Sequence, residues 1–394
     1  MSWQTESVMQ QKERFIRMWQ SNQFTFRGLC EGFNISTRTG YNLVNAFKEE
    51  GENSFSSKST RPYTSPNRTP AKVEKKIVSL RKNHPNWGAR KFKILLQKYF
   101  ELNQIPSETT INAILKRNDL VINKRKRSSG VGKLNPKFDP KDCNEIWSAD
   151  YKGKFRLKNG RYCCPLTVCD SKSRKILGIK CHYKATYKSV KQAYREIFRE
   201  HGRPYFMHTD NGSPFANTQA LCRYTQLCYW LIDQEIIPVF SDPASPQQNG
   251  RHERMHRDLK AFCHGKIKST LSKQQKLMDE FKHEYNSIRP HEALNMSTPD
   301  EVHEGSEREY SETKLKYNYD YHYRKLKVCQ NGAARWGAYN WLFIGRGARG
   351  RYIGAQELGN GNWNVYYRNV LLGYFDENKF RKKEQYQLIN KIQV

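Results

Sequence analysis

Apolar positions recur at helical spacing over the first third of the chain, switch to a two-residue alternation in the middle, and return to short alternating runs near the end. In TFRGLCEGF (25–33), Phe26, Leu29 and Phe33 share one helical face. Asn34-Ile35 then makes a turn, and Ser36 is placed to cap a second helix, TRTGYNLVNAFKEEG (37–51). That helix buries Leu43, Val44 and Phe47, so Thr37, Arg38, Thr39, Tyr41 and Asn42 point outward near its start. In a helix-turn-helix those positions reach base edges, although a plain three-helix bundle has the same apolar spacing. Residues 1–53 are expected as one such domain, and the Ser/Pro/Arg-rich 54–70 as a linker. VEKKIVSLRKNHP, WGARKFKILLQKYF and SETTINAILKRNDL predict three more helices over 71–123. Ser107 caps the last, and Thr109, Thr110 and Asn112 face outward, giving a second helix-turn-helix. A basic linker, 124–140, follows and opens with Lys124, Arg125, Lys126 and Arg127; it is either a solvated tether or a contact to phosphates.

Over 141–300 the period changes. IWSADYKGKFRL (146–157), YCCPLTVCD (162–170) and KILGIKCHY (175–183), parted by turn residues, predict three antiparallel strands. A helix (189–202), a short strand (204–210), a helix (219–234), a strand (236–240) and a helix within 245–262 follow, with a further helix at 273–288. The order βββαβαβα is that of an RNase H-like α/β core. After a charged linker, 301–323, residues 324–385 show short strands with Gly/Asn turns and many Trp, Tyr and Arg residues. They are expected to form a small antiparallel β-barrel, with Trp341 and Phe343 in its core and the arginines left open between structure and nucleic acid. The fold class is thus multidomain α+β: tandem all-α units, an α/β core and a C-terminal barrel.

Charge adds a partner to this picture. The net charge is +31, and it is uneven: residues 1–137 hold 26 Lys/Arg against 10 Asp/Glu, residues 314–394 hold 15 against 5, and the middle is nearly balanced. Basic ends around a balanced centre suit a polyanion held by the ends and handled by the middle; a generally basic or ribosome-bound protein would share the total. Ten cysteines include no C-x-x-C pair, so buried free thiols are expected instead of disulfides or zinc knuckles. There is neither an apolar run of membrane-spanning length nor a secretory N-terminus, which makes a cytoplasmic protein without membrane contact the expectation.

Candidate chemistry lies in the middle region. Asp150 in IWSADYKG, Asp210 in HTDNGSPF and Glu253 in NGRHERMHRDLK each have ordinary readings as a strand end, a turn and a solvated helix charge. Their placement on the first strand, at the end of a later strand and at the start of the following helix lets them converge at one sheet edge. Hard oxygen ligands suit Mg²⁺, and paired ions serve in-line phosphodiester displacement. Arg257 and Lys260, at i+4 and i+7 from Glu253, share its helix face and would meet the DNA backbone. The same helix satisfies H-E-x-x-H through His252 and His256, a zinc-protease pattern. It has no apolar face for a zinc site, and only His264 or His283 as a third ligand. Asp170 reads as a structural turn residue.

At these residues the chain resembles bacterial insertion-sequence transposases with a retroviral-integrase-type core. The blocks IWSADYKG, LTVCDSKSRKILG, HTDNGSPF, SPQQNGRHERMHRDLK and NSIRPHEALNMSTP occur in that family's order. The resemblance implies that Asp150, Asp210 and Glu253 are the catalytic metal ligands, with two Mg²⁺ ions per site and Mn²⁺ as a substitute. It further implies attack on a phosphodiester by water and then by a DNA 3′-hydroxyl. The implied partners are double-stranded DNA, as terminal inverted repeats and target, and further copies of the chain, at least a dimer on DNA. A bacterial, nucleoid-associated location follows from the same resemblance. Two departures stand out: 42 residues separate Asp210 from Glu253, more than in many integrases, and the zinc-binding His/Cys module of retroviral integrases is missing. A DNA-binding regulator that kept the fold without catalysis is the remaining alternative.

Overall fold

The computed structural model describes residues 7–56, 68–121, 139–217, 223–242, 246–313, 315–381 and 386–389. The chain divides into two compact units, residues 1–69 and 70–394. The basic run Lys124–Arg127 lies outside the described residues.

The first unit holds α1 (Val8–Gln20), α2 (Phe26–Gly32) and α3 (Thr37–Glu50). Asn34 turns the chain with a left-handed φ of 53°, and the Ser36 hydroxyl caps α3 by accepting from Thr39 N at 3.1 Å. Phe15, Ile16, Leu29, Cys30 and Val44 form the core. Helix α3 approaches α2 closely at Gly40, where an added Cβ would lie 2.6 Å from Cys30 Sγ. Phe55, which the sequence pattern leaves in the linker, is buried and stacks on Phe47.

The second unit begins with α4 (Ala71–Asn83), α5 (Ala89–Leu96) and α6 (Glu108–Arg117), the last capped by Ser107. Their apolar faces form one cluster around Phe92, Ile111 and Ile114, and Ile288 from farther along the chain packs against it. Next come β1 (Ile146–Tyr151), β2 (Phe155–Arg156), β3 (Tyr162–Asp170), β4 (Ile176–His182), α7 (Tyr187–His201), β5 (Phe206–Thr209), α8 (Gln226–Asp233), β6 (Ile237–Phe240), α9 (Gly250–Cys263) and α10 (Leu271–His283). These elements make one mixed sheet. Antiparallel partners β1 and β3 lie at its centre, β4 pairs with β3 outside them, and β5 and β6 run parallel to β1 on the other side. Strand alternation sorts the faces. Trp147, Ala149, Leu166 and Val168 pack under α7 and α8, whereas Cys169, Ile179 and Cys181 meet Met255, Leu259 and Phe281 of α9 and α10. Among the described residues no helix is long and apolar enough to cross a membrane, and the nine described cysteines are free.

A short α11 (Pro299–Val302) leads to residues 303–312, which pack on the core instead of spanning free space. Arg203 N donates to Arg308 O at 2.8 Å, and Tyr310 lies against Phe198. The last region corrects the barrel expectation. Strands β7 (Tyr323–Lys327), β10 (Tyr352–Gly359), β11 (Asn362–Tyr367) and β12 (Val370–Asp376) form one sheet, while β8 (Ala333–Arg335), β9 (Trp341–Phe343) and β13 (Tyr386–Leu388) form another. No pairing closes them among the described residues. The β8 and β9 strands are only three residues long, and Tyr229 and Ile232 of α8 fill the shared core that closure would otherwise enclose. Register also differs by one residue from the expectation: Leu342 and Ile344 are buried, and Trp341 and Phe343 only half-buried. The arginines here are largely structural. Arg324 stacks over Trp336 at 3.9 Å, and Arg351 and Arg368 pair with Asp233 of α8.

Candidate active site

Alternation along IWSADY puts Trp147 and Ala149 into one core and turns Ser148 and Asp150 toward α9. Asp150 pairs in register with Thr167 of β3. On its other side Ala149 pairs with Thr209, the last residue of β5, so Asp210 follows one step past that pairing, beside Asp150 on a parallel neighbour. Gly212 lets the loop after β5 fold back: its N–H donates to Asp210 Oδ1 at 3.1 Å, and an added Cβ would sit 3.0 Å from Oδ2. The entry to α9 is tied by Gln248, which accepts from Asp242 N at 2.7 Å and donates to its carboxylate at 2.6 Å. Glu253 then falls in the first turn of α9, where the helix dipole favours a carboxylate.

Asp150 feels the other two acids. Asp150 is pushed up to about 7, first by burial, then by the negative charge of Asp210, with Glu253 adding to it and the Tyr151 amide and Lys152 opposing. Asp210 and Glu253 are exposed. The ligand oxygens of the three do not all lie within 4.8 Å of one another; among the described residues that holds for one group, Cys143, Asp170 and His303. In that group Asp170 is fully buried and satisfied: it accepts from Asn144 N, Ser173 N and Ser173 Oγ, tying the turn after β3 to the start of β1.

His252 and His256 have a role that sequence spacing concealed. Both rings are buried beneath α9. Their Nε2 atoms converge on the Thr167 hydroxyl at 2.6 and 2.7 Å, and Thr167 Oγ1 itself donates to Asp150 O at 2.9 Å. Since that hydroxyl has one proton to give, both imidazoles must donate to it through Nε2–H. His252 Nδ1 is then an acceptor and takes the Ser148 hydroxyl at 2.9 Å. Burial holds both rings neutral: His252 is pushed well below the usual histidine range, and His256 down to about 3. The H-E-x-x-H spacing therefore fastens α9 to β1 and β3, with the glutamate on the open side. Thr167, a polar residue inside the apolar run YCCPLTVCD, is the one sequence signal that could have disclosed the network.

The remaining sequence candidates are placed as follows. Thr37, Arg38, Thr39, Tyr41 and Asn42 are all exposed on α3, although the Tyr41 ring stacks on Phe26 and the Thr39 hydroxyl joins the Ser36 cap. Thr109 and Asn112 are exposed on α6, whereas Thr110 is half-buried with its hydroxyl on Ser107. Arg257 and Lys260, exposed on α9, line a cleft of about 580 Å³ with the Asn83–Trp87 loop.

Family matches fall on the helical and sheet-bearing regions. One integrase core domain family matches residues 140–246, a second family of the same description matches 234–299, and a homeodomain-like domain matches 39–115. The chain is 23% identical over 228 residues to the insertion element IS407 uncharacterized 31.7 kDa protein of Burkholderia multivorans, covering 57% of this chain and 78% of that one. To the putative integrase ORF3 of Spiroplasma virus SpV1-C74 it is 36% identical over 100 residues, 24% of this chain and 27% of that protein. Among solved structures, the HTLV-2 integrase catalytic core domain in complex with magnesium is 16% identical, with a TM-score of 0.33, covering 42% of this chain and 100% of that one. The simian T-cell lymphotropic virus intasome in complex with PP2A regulatory subunit B56 gamma is 14% identical, with a TM-score of 0.37, covering 75% and 97%.

Proposed function

We propose that this chain, which matches integrase core domain families over residues 140–299 and a homeodomain-like domain over 39–115, is an insertion-sequence transposase that binds the terminal inverted repeats of its element and cleaves and rejoins DNA there with Asp150, Asp210 and Glu253. The observation that carries the reading is the placement of three acids on β1, just past β5 and in the first turn of α9, with the charges of Asp210 and Glu253 adding to burial in raising Asp150. A half-buried Asp150 whose ionisation is opposed by two further carboxylates is a place for added positive charge, and oxygen donors alone fit Mg²⁺ or Mn²⁺. Two such ions, held by the three carboxylates, would supply charge neutralisation at the attacking and leaving oxygens of a phosphodiester.

What the chain's own groups do follows from their placement. Thr167 and the two histidines hold the Asp150 backbone and α9 at a fixed spacing, which would limit the reorganisation needed when metal binds. Arg257 and Lys260 hold the DNA backbone along α9. Residues 1–53 and 71–123 read sequence through Thr37–Asn42 and through Thr109, Thr110 and Asn112, with Lys124–Arg127 between them and the core on phosphates. The core spans 141–300, and 324–385 contacts DNA or a second copy; joining two element ends requires at least a dimer on DNA.

The test is direct. Duplexes carrying the element ends, incubated with the chain and Mg²⁺ or Mn²⁺, should yield new 3′-hydroxyl ends and then joined products on a sequencing gel. Tight, sequence-selective binding with no strand cut under either metal would instead identify a regulator that kept the fold.

A further inference from the structure

A cleft of about 650 Å³ lies between α5 of the helical segment and α9 of the core, and the Tyr285–His291 stretch forms part of its wall. From Asn286 on, that stretch belongs to the NSIRPHEALNMSTP block, for which the carboxylate site gives no use. Five cations border the cleft: Lys91, Arg174, Arg251, Arg254 and Arg289. Two of them are answered within the chain. Arg251 donates to Asp139 and to Ser171 O, both at 3.1 Å, and Arg289 pairs with Asp258.

The others are not. Lys91, Arg174 and Arg254 have no hydrogen-bond or ion-pair partner among the described residues, and Lys91 merely lies over the Trp87 ring at 5.8 Å. The buried Nε of Arg289 is also without a partner there. Of the carboxylates in the cleft, Asp139 and Asp258 are the ones already paired, and Asp170 is satisfied by three donors, which leaves Glu292 alone against three cations. The crowding is felt: Lys91 is pushed down to about 8, first by burial and then by Arg289, with Asp258 and Glu292 opposing and Arg254 adding a smaller push; Arg174 is lowered by burial and then by Arg251, with Arg254 adding to it and Asp139 opposing. Arg174 also holds a left-handed φ of 63°, a conformation unfavourable for a long side chain. A recess that gathers unpaired cations at some expense is built for an anion.

We propose that this cleft seats a phosphate of the DNA backbone, gripped by Lys91, Arg174 and Arg254 between the helical segment and the helix that bears Glu253. Guanidinium forks match phosphate oxygens in pairs, and the lysine adds a point charge. Arg254 adjoins Glu253 in sequence, so a phosphate held here ties the helices that contact DNA to the helix that completes the carboxylate site. The proposal rests on the DNA reading above.

Two measurements on the full chain test it, using a fluorescent duplex of unrelated sequence. In a salt titration, the Lys91→Gln/Arg174→Gln chain should bind with a log K against log salt slope shallower by about one, the loss of one phosphate contact. In wild type, acetylation of Lys91 by an N-hydroxysuccinimide ester should fall at least about fivefold when the duplex is bound, while exposed Lys82 is modified as before. Lys91 equally acetylated on the duplex-bound wild-type chain overturns the proposal even if the double variant fails to fold. An unchanged slope overturns it as well. Protection by polyglutamate but not by duplex overturns it and assigns the cleft to an acidic protein partner. A chain that binds no duplex overturns the DNA reading and this proposal together, whereas duplex binding with Lys91 unprotected overturns this proposal alone.

Discussion

His256 presents Nδ1 to the Asp150 carboxylate at 3.7 Å, while its Nε2 holds the hydroxyl of Thr167. Through Thr167 the neutral ring joins α9, which bears Glu253 in its first turn, to β3 and to the Asp150 carbonyl beside it. Thr167 is the hub, contacting both histidines and the Asp150 carbonyl. Replacing it with valine keeps shape but leaves the two buried imidazole Nε2–H groups without their acceptor. Thr167→Val is expected to lower stability by about 2–4 kcal/mol, read by thermal or urea unfolding. A change within about 0.5 kcal/mol would mean that the network contributes little.

Asp150 makes the stability of the metal-free chain depend on pH. Its folded value, about 7, lies above the unfolded carboxylate value near 4. A group raised in this way contributes stability below the unfolded value, and loses it as pH rises through the folded one. The stability of wild type relative to Asp150→Asn should therefore fall between about pH 4 and pH 8, by on the order of 3 kcal/mol, and saturating Mg²⁺ should reverse the fall. His256 acts in the opposite sense, since its folded value of about 3 lies below the unfolded one. Its contribution is complete above about pH 6.5 and fades as pH drops toward 3, so His256→Gln should reduce the acid sensitivity of unfolding.

Much of this could be read along the chain, and the exceptions share a cause. The Ser36 and Ser107 caps, the strand alternation around Asp150 and the switch from helical to alternating period are local patterns, and the structure follows them. What escaped was non-local. His252 looked like half of a zinc motif because its partner Thr167 is 85 residues away in sequence. Likewise, Trp341 and Phe343 were expected inside because they are large. The register of a three-residue strand instead buries Leu342 within it and Ile344 just past it, and α8, more than 100 residues upstream, fills the space a barrel would have enclosed. The cation cleft was equally hidden, since Lys91 and Arg289 meet only in the folded chain.

In the first unit, Gly40 should tolerate no side chain. A Cβ there meets Cys30 Sγ at 2.6 Å and Phe26 and Phe15 at 3.1 and 3.2 Å, and none of these is the free end of a flexible chain. Gly40→Val is expected to destabilise this three-helix unit by about 2 kcal/mol or more, exposing residues 8–55 to proteolysis while the second unit stays protected. Equal protection of both units would contradict the close approach of α2 and α3.

The C-terminal sheets are fastened to the core through Asp233, which pairs with Arg351 at 3.1 Å and Arg368 at 3.3 Å and accepts from the Tyr367 hydroxyl. Asp233→Ala strips the counter-charge from two mostly buried arginines. A loss of about 3 kcal/mol is expected, with faster amide exchange concentrated over residues 323–376. Exchange unchanged in that region would show that the apolar cluster around Tyr229 and Ile232 holds the sheets unaided.

The measurement that bears most directly on the carboxylate assignment is Mg²⁺-dependent strand cleavage by Asp210→Asn and Glu253→Gln chains that still bind DNA. Both side chains are exposed, so neither change should disturb folding. Each is predicted to lose at least about a hundredfold in cleavage rate, with DNA affinity within about threefold of wild type. Wild-type cleavage rates from either chain would contradict the account.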